Sequence, residues 1–219
     1  MADLFSSLSE GSVYPEHLGP GITLLHGFAQ DSSAGVYDAI QHIAHASPFR
    51  RLTTPGGFQM SVSTTACGVL GWHSDQYGYR YVAHDPWSRR PWPAMPQAFE
   101  ALARTAAAAG GFEGFTPDSC LINRYIPGTK MSLHQDKNEH DFSAPIVSVS
   151  LGLPATFLFG GDQRSDPVRH LQLVHGDVLV WGGPARLRYH GVMPLSAGTY
   201  AEWGAARINL TFRLAGPQN

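Results

Sequence analysis

The segment KMSLHQDKNEHDF, residues 130–142, places His134 two positions before Asp136, and Glu139 and His140 follow almost at once. On a strand, residues i and i+2 point to the same face, so His134 and Asp136 could reach one ion together. A second histidine from a distant strand would complete a set of two imidazoles and one carboxylate. Such a set leaves coordination positions open and suits the non-haem Fe(II) oxygenases. Of the eleven histidines, His190 in RYHGVMP is the best placed, where a strand begins after a glycine-containing loop. His175 in VHGDVLVW is the rival, but His-Gly-Asp reads better as a tight turn into a strand. His140 is too close along the chain to close the ring easily, and His170 starts a strand with no partner pattern. A zinc-binding, hydrolytic or non-enzymatic β-sandwich could use the same three residues.

A second pattern bears on that choice. In ARINLTFRLAG, Arg207, Asn209, Thr211 and Arg213 alternate with Ile208, Leu210 and Phe212, which on a strand puts the four polar residues on one face. If that face is outside, it is solvated and unremarked. If it is inside, two arginines are costly to bury unless a dianion accepts their charge-assisted bonds. CLINRYIPG alternates too, with Asn123 and Tyr125 on one face and Ile122 and Arg124 on the other. Asn123 and Tyr125 could finish a carboxylate site. The zinc reading gives no account of the paired Arg207 and Arg213.

These residues need a scaffold that brings early and late strands together. Length, 219 residues, suits one domain, and 43% hydrophobic against 15% charged residues supplies a core. Glycines (24) and prolines (16) are numerous and spread out, which favours many turns and a β-rich fold. Short strands are expected at 120–125, 146–151, 155–159, 170–174, 177–181 and 207–212, separated by Pro127-Gly128, Gly160-Gly161, His175-Gly176 and Gly182-Gly183. A jelly roll is the natural class. Two helices are expected in the first half. One starts at Asp31, capped by Asp31, Ser32 or Ser33, with Val36, Ile40 and Ile43 on one face. The other opens at Pro96 and stops at Gly110-Gly111.

The formal net charge is −2, so any hold on nucleic acid has to come from a local patch. Thirteen of the fifteen basic residues are arginine. That suits acidic ligands and is equally what a GC-rich genome produces. Two cysteines, Cys67 and Cys120, do not suggest a disulfide framework. MADLFSSLSEG shows no signal-peptide pattern, and no run approaches the ~18 apolar residues of a membrane span. The expectation is a monomer in the cytoplasm, with no membrane partner.

The chain resembles the AlkB family of Fe(II)- and 2-oxoglutarate-dependent dioxygenases, in particular its bacterial DNA-repair type. The resemblance rests on PGGFQMSV, CGVLGW, PWPAMPQ, CLINRYIPGTKMSLHQDK, APIVSVSLGLPATFLFGG, HGDVLVWGG, YHGV and NLTFR, in that order over most of residues 45–216. It implies one dioxygenase domain over residues 1–219. A double-stranded β-helix core would occupy about 116–216. An α/β extension and nucleotide-recognition lid would occupy about 1–115. It implies His134, Asp136 and His190 as Fe(II) ligands. Arg207 and Arg213 become 2-oxoglutarate anchors, supported by Asn123, Tyr125 and Asn209. Arg207 would meet the carboxylate that chelates iron and Arg213 the distal one. Trp72 becomes the base-stacking wall, with His134 opposite and further rings from Tyr77, Tyr79 and Tyr81. Thr54 to Met60 and Tyr79 lie in the lid. Lys130, Lys137 and Arg164 flank the mouth, and Arg89 and Arg90 could be solvated or touch phosphate. The implied reaction consumes O2 and 2-oxoglutarate, yields succinate and CO2, and removes the methyl of 1-methyladenine or 3-methylcytosine as formaldehyde. The expected substrate is single- or double-stranded DNA, and RNA as well. An oxygenase acting mainly on RNA or on protein is the alternative.

Three positions depart from the best-known bacterial pattern: Thr64 for Met, Phe58 for Tyr and Asn138 for Asp. Thr64 and Phe58 are expected to line the base-binding lid. Asn138 is expected to face the base pocket, and with Glu139 to bear on which base is read.

Overall fold

A computed structural model describes residues 14–216; the segment weighed as a signal peptide lies outside them. In chain order the elements are β1 (Tyr14–Gly19), β2 (Ile22–His26), α1 (Ser33–Ala46), β3 (Ser63–Gly68), β4 (Gly71–Asp75), β5 (Gly78–Val82), α2 (Gln97–Ala109), β6 (Ser119–Tyr125), β7 (Met131–His134), β8 (Ile146–Gly152), β9 (Ala155–Phe159), β10 (Arg169–Leu173), β11 (Val178–Trp181), β12 (His190–Val192) and β13 (Arg207–Arg213). All six strands expected from the sequence form within a residue or two of their bounds, as do both helices. Val36, Ile40 and Ile43 are the buried face of α1. Ser32 is its N-cap residue, without a capping side-chain bond.

Three sheets result, with order β1-β2-β11-β8-β13-β6-β3, β10-β9-β12-β7 and the separate hairpin β4-β5. Every strand pairing is antiparallel. The seven- and four-stranded sheets face one another as a double-stranded β-helix, the jelly roll expected. Strands β1, β2 and β3, from the first seventy residues, widen the larger sheet.

The central strands of the larger sheet are buried on both faces, while β1 at its edge is exposed. Its outer face packs Val149, Val180, Leu210 and Phe212 against Ile40, Ile43, Phe99 and Ala106 of the two helices. Its inner face, with Tyr125, Leu179 and Trp181, meets Phe157, Phe159 and Val192 of the smaller sheet. This settles the alternation in β13, which is buried along its whole length. Ile208, Leu210 and Phe212 join the helix-side core, while Arg207, Asn209, Thr211 and Arg213 line the space between the sheets. Cys67 and Cys120 are buried and unbridged, opposite one another on β3 and β6.

The hairpin β4-β5 packs closely against the loop that follows it. Gly71 lies against the indole of Trp92, and a Cβ there would sit well inside contact distance. Trp92 Nε1 is tied to the Val82 carbonyl at 2.9 Å, so the ring has no room to retreat. Gly71→Ala is expected to destabilise the protein by about 1–3 kcal/mol, the usual cost of overpacking. Denaturant unfolding checks this; a midpoint equal to that of the parent chain would show that Trp92 can move.

Candidate active site

Strands β7 and β12 pair so that His190 stands directly opposite His134. The imidazole centroids are 4.4 Å apart. Asp136 is not on the strand expected for it, because β7 ends at His134. It reaches the same point from the loop that follows. Its Oδ1 lies 3.7 Å from His134 Nε2 and its Oδ2 3.6 Å from His190 Nε2. One donor atom from each of the three residues falls within 4.8 Å of the others. Backbone carbonyls orient both rings: Ser132 O accepts from His134 Nδ1 at 2.8 Å, and Arg188 O from His190 Nδ1 at 3.0 Å. Both Nε2 atoms are thereby free to face an ion. The rival histidines lie elsewhere. His175 stacks on Tyr200 and accepts the Gly152 N–H, in the turn expected of it. His140 and His170 are exposed.

Behind this cluster lies an inner cavity of about 80 Å³, lined among others by Asn123, Tyr125, Arg207, Asn209 and Arg213. Arg207 is 1% exposed. Its Nη2 donates to Ser150 Oγ at 2.9 Å, and its guanidinium lies 5.1 Å above the Tyr125 ring. Its Nε and Nη1 have no partner, and neither do Asn123 Oδ1 and Arg213 Nη1. Asn209 is held by Ser148 Oγ at 2.8 Å. Arg213 donates to Asp136 Oδ2 from Nε at 3.0 Å and from Nη2 at 2.5 Å. Arg213 thus stands beside the His-Asp-His cluster while Arg207 is held by Ser150 and Tyr125, which favours the opposite order of the two arginines to the one expected.

Burial works against ionising Asp136, but Arg213, His190 and His134 outweigh it and hold the carboxyl well below its usual range. Burial lowers His134 to about 4, and His190 pushes the same way. The outer edge of that ring is open to the cavity (38% exposed). Burial lowers Arg207 and raises Tyr125. Arg213 is raised: burial opposes this, and Asp136, Tyr81 and Glu139 overcome it.

The outer cavity, about 550 Å³, brings together six of the residues expected to contact substrate, Thr54, Met60, Trp72, Tyr79, Asn138 and Arg164, with His134 and Asp136 at its floor and Lys130 and Lys137 on its rim. Trp72 and Tyr79 stack at 5.6 Å and 14°. Asn138 fastens this pair, accepting from Trp72 Nε1 at 3.2 Å and donating to the Tyr79 carbonyl at 3.4 Å.

Several expectations are corrected. Phe58 is 77% exposed at a turn tip and Thr64 is buried in the larger sheet, opposite Asn123; neither lines the outer cavity. Tyr77 is 82% exposed at the hairpin tip, and Tyr81 is buried, donating to Glu139 Oε1 at 2.6 Å. Neither offers a ring to the cavity. Glu139 faces Arg213 and Arg186 and does not read a base. Arg89 and Arg90 are exposed. Ser148, Ser150 and Arg186 escaped the sequence reading, as did the pairing of Glu139 with two arginines. The serines alone left a trace, as polar residues alternating within IVSVSL.

The profile of the 2OG-Fe(II) oxygenase superfamily matches residues 21–213. The chain is 52% identical to the alpha-ketoglutarate-dependent dioxygenase AlkB of Salmonella typhimurium over 215 residues, covering 98% of each. To the protein of that name from Escherichia coli it is 52% identical over 216 residues, covering 99% of each. Its fold is similar to that of OsALKBH1, with a TM-score of 0.80 at 29% identity, over 92% of this chain and all of that one. The chain belongs to the AlkB family of the 2OG-Fe(II) oxygenase superfamily. It is thus a dioxygenase dependent on Fe(II), 2-oxoglutarate and O2. Among the described residues no helix is long and apolar enough to cross a membrane.

Two buried imidazoles give a pH test of the metal-free protein. His73 is lowered by burial, although Asp75 opposes it, and His134 is lowered as well. In the unfolded chain both titrate near ~6.5. Below that value the unfolded state binds more protons than the folded one, so this contribution is complete above about pH 6.5 and is lost as pH falls toward the folded values. Thermal stability of the metal-free chain is expected to drop between pH 7 and 5, and less steeply in His73→Gln. Parallel slopes for the two proteins would mean that the His73 ring protonates freely in the fold.

Proposed function

We propose that the protein removes methyl groups from the ring nitrogens of nucleobases, such as 1-methyladenine and 3-methylcytosine, in single- or double-stranded DNA. We further propose that it acts as a monomer. The observation that carries this reading is Arg207, fully buried, with no carboxylate partner among the described residues and two unpaired N–H groups. A cation so placed requires an acidic ligand, and the cavity it faces ends at the His134, Asp136 and His190 cluster. The donor set suits Fe(II), and the unpaired guanidinium, with Asn123 and Tyr125, suits a dicarboxylate. When bound, Fe(II), 2-oxoglutarate and O2 supply the oxidising power that hydroxylates the N-methyl group, which leaves as formaldehyde.

The chain's own residues bind and orient. His134, Asp136 and His190 hold the metal. Arg213, beside Asp136, receives the cosubstrate carboxylate nearest the metal, and Arg207 with Tyr125 receives the distal one. Trp72, braced by Tyr79 and Asn138, offers a flat face in the outer cavity, where a base turned out of its stack can lie. A cationic methylated base is favoured on such a ring. Lys130, Lys137 and Arg164 meet the phosphates, which gives binding its salt dependence. The lid is the β4-β5 hairpin together with residues 53–62.

The test is anaerobic loading with Fe(II) and 2-oxoglutarate, then aerobic assay of formaldehyde on DNA and RNA oligonucleotides carrying 1-methyladenine, 3-methylcytosine or no lesion. Formaldehyde from the methylated oligonucleotides, DNA above all, and none from the unmodified ones is expected; silence on every methylated oligonucleotide would overturn the reading. Asp136→Ala is expected to abolish 2-oxoglutarate turnover. Arg207→Met removes two charge-assisted bonds of about 1.5–3 kcal/mol each, so KM for 2-oxoglutarate is expected to rise about a hundredfold or more. Trp72→Ala is expected to raise KM for the oligonucleotide by roughly 5- to 150-fold, the loss of one stacking contact, with cosubstrate affinity unchanged.

A further inference from the structure

Asp136 stands beyond the end of β7, so no ladder bond fixes its backbone. The anchoring comes from the turn between β11 and β12. Arg186, 3% exposed, spends its whole guanidinium there. Nη1 donates to the Asp136 carbonyl at 2.8 Å and Nε to the Ala144 carbonyl at 3.1 Å, so both ends of the intervening loop are tied to one planar group. Nη2 faces Glu139 Oε2 at 3.2 Å. The next residue, Leu187, accepts Gln135 Nε2 at 2.6 Å. The one after, Arg188, accepts His190 Nδ1 at 3.0 Å. A single short turn thus touches the supports of two of the three residues in the cluster.

Glu139 completes the arrangement. Its side chain is 1% exposed; Oε1 accepts the Tyr81 hydroxyl at 2.6 Å and lies 3.3 Å from Arg213 Nε. Asp136, Glu139, Arg186 and Arg213 form a closed set of two carboxylates and two guanidiniums. Arg186 and Glu139 line neither cavity, so neither can touch metal, cosubstrate or base.

We infer that Arg186 and Glu139 are positioning residues for the metal centre: together they clasp the loop after β7 to the turn after β11 and present Asp136 to the ion. The inference rests on Asp136 being a metal ligand, as proposed above. Supports of this kind are worth about 10- to 100-fold in metal affinity, whereas a merely structural role would lower stability and leave the affinity of the folded protein alone.

The experiment measures Mn(II) binding to the full chain by EPR of the free ion, without cosubstrate, well below the unfolding temperature. Arg186→Met is expected to raise the Mn(II) Kd about 10- to 100-fold. Arg186→Lys restores only part, because an ammonium lacks the planar fork that spans three partners. The double variant Arg186→Met with Glu139→Gln removes both charges at once, avoids an unpaired buried carboxylate, and is expected to fold and show the same loss. Ile40→Val, in the helix-side core, serves as the control for general destabilisation and keeps parental affinity. Parental affinity in the folded double variant overturns the inference, as does an equal loss in Ile40→Val. Parental affinity in Asp136→Ala overturns the ligand assignment itself, and that result is distinct from the other two.

Discussion

The pairing of Asp136 with Arg213 is the contact on which the site depends. It joins a loop of the smaller sheet to the last strand of the larger one, across the gap where the chemistry has to occur. An arginine at 4% exposure is stabilised by the carboxylate that meets it, and the carboxylate stays ionised because the arginine, with His190 and His134, outweighs its burial. The same carboxylate faces both histidines. Closure of the fold and the geometry of the cluster therefore share one contact: β13 gives Asp136 its counter-charge.

That arrangement asks something of the larger sheet. A strand carrying Arg207, Asn209 and Arg213 toward the interior has to be held by its other face. Ile208, Leu210 and Phe212 supply the grip by packing beneath α1 and α2. The helices are remote from the site, yet they are what lets polar side chains point inward. Ser148 and Ser150, on the neighbouring strand, then satisfy Asn209 and Arg207 without adding charge.

Much of this was legible in the sequence. The period-two runs near 120, 146, 155, 177 and 207 are long and apolar enough to name their own strands. The helix faces follow from Val36, Ile40 and Ile43. The His-x-Asp pair and the alternation of β13 point to metal and anion before any fold is known. The resemblance to a family added the third ligand's company and the stacking wall. What escaped did so for physical reasons. β7 is four residues long and ends at His134, so periodicity could not tell the loop that carries Asp136 from a continuing strand. Glu139 looks like any acid in a charged turn; only the fold shows it at 6% exposure, between two arginines. Thr64 and Phe58 sit in segments whose facing depends on tertiary packing, so proximity to the lid in sequence did not become proximity in space. The order of Arg207 and Arg213 could not be read either, because both lie on one face of one strand and only the position of Asp136 distinguishes them.

The two-stranded sheet β4-β5 shares no ladder with either sheet of the sandwich. It carries Trp72 and Tyr79, while the oxidising centre is built wholly from β6, β7, β12, β13 and the loop at Asp136. The proposed base wall and the proposed metal ligands thus lie on different pieces of hydrogen-bonded structure, joined by the bond from Trp72 to Asn138. Under those proposed roles, substitutions in the hairpin that keep the Trp72–Asn138 bond would alter the base wall while the ligands keep their own strands. A chain built this way can change its diet while keeping its teeth.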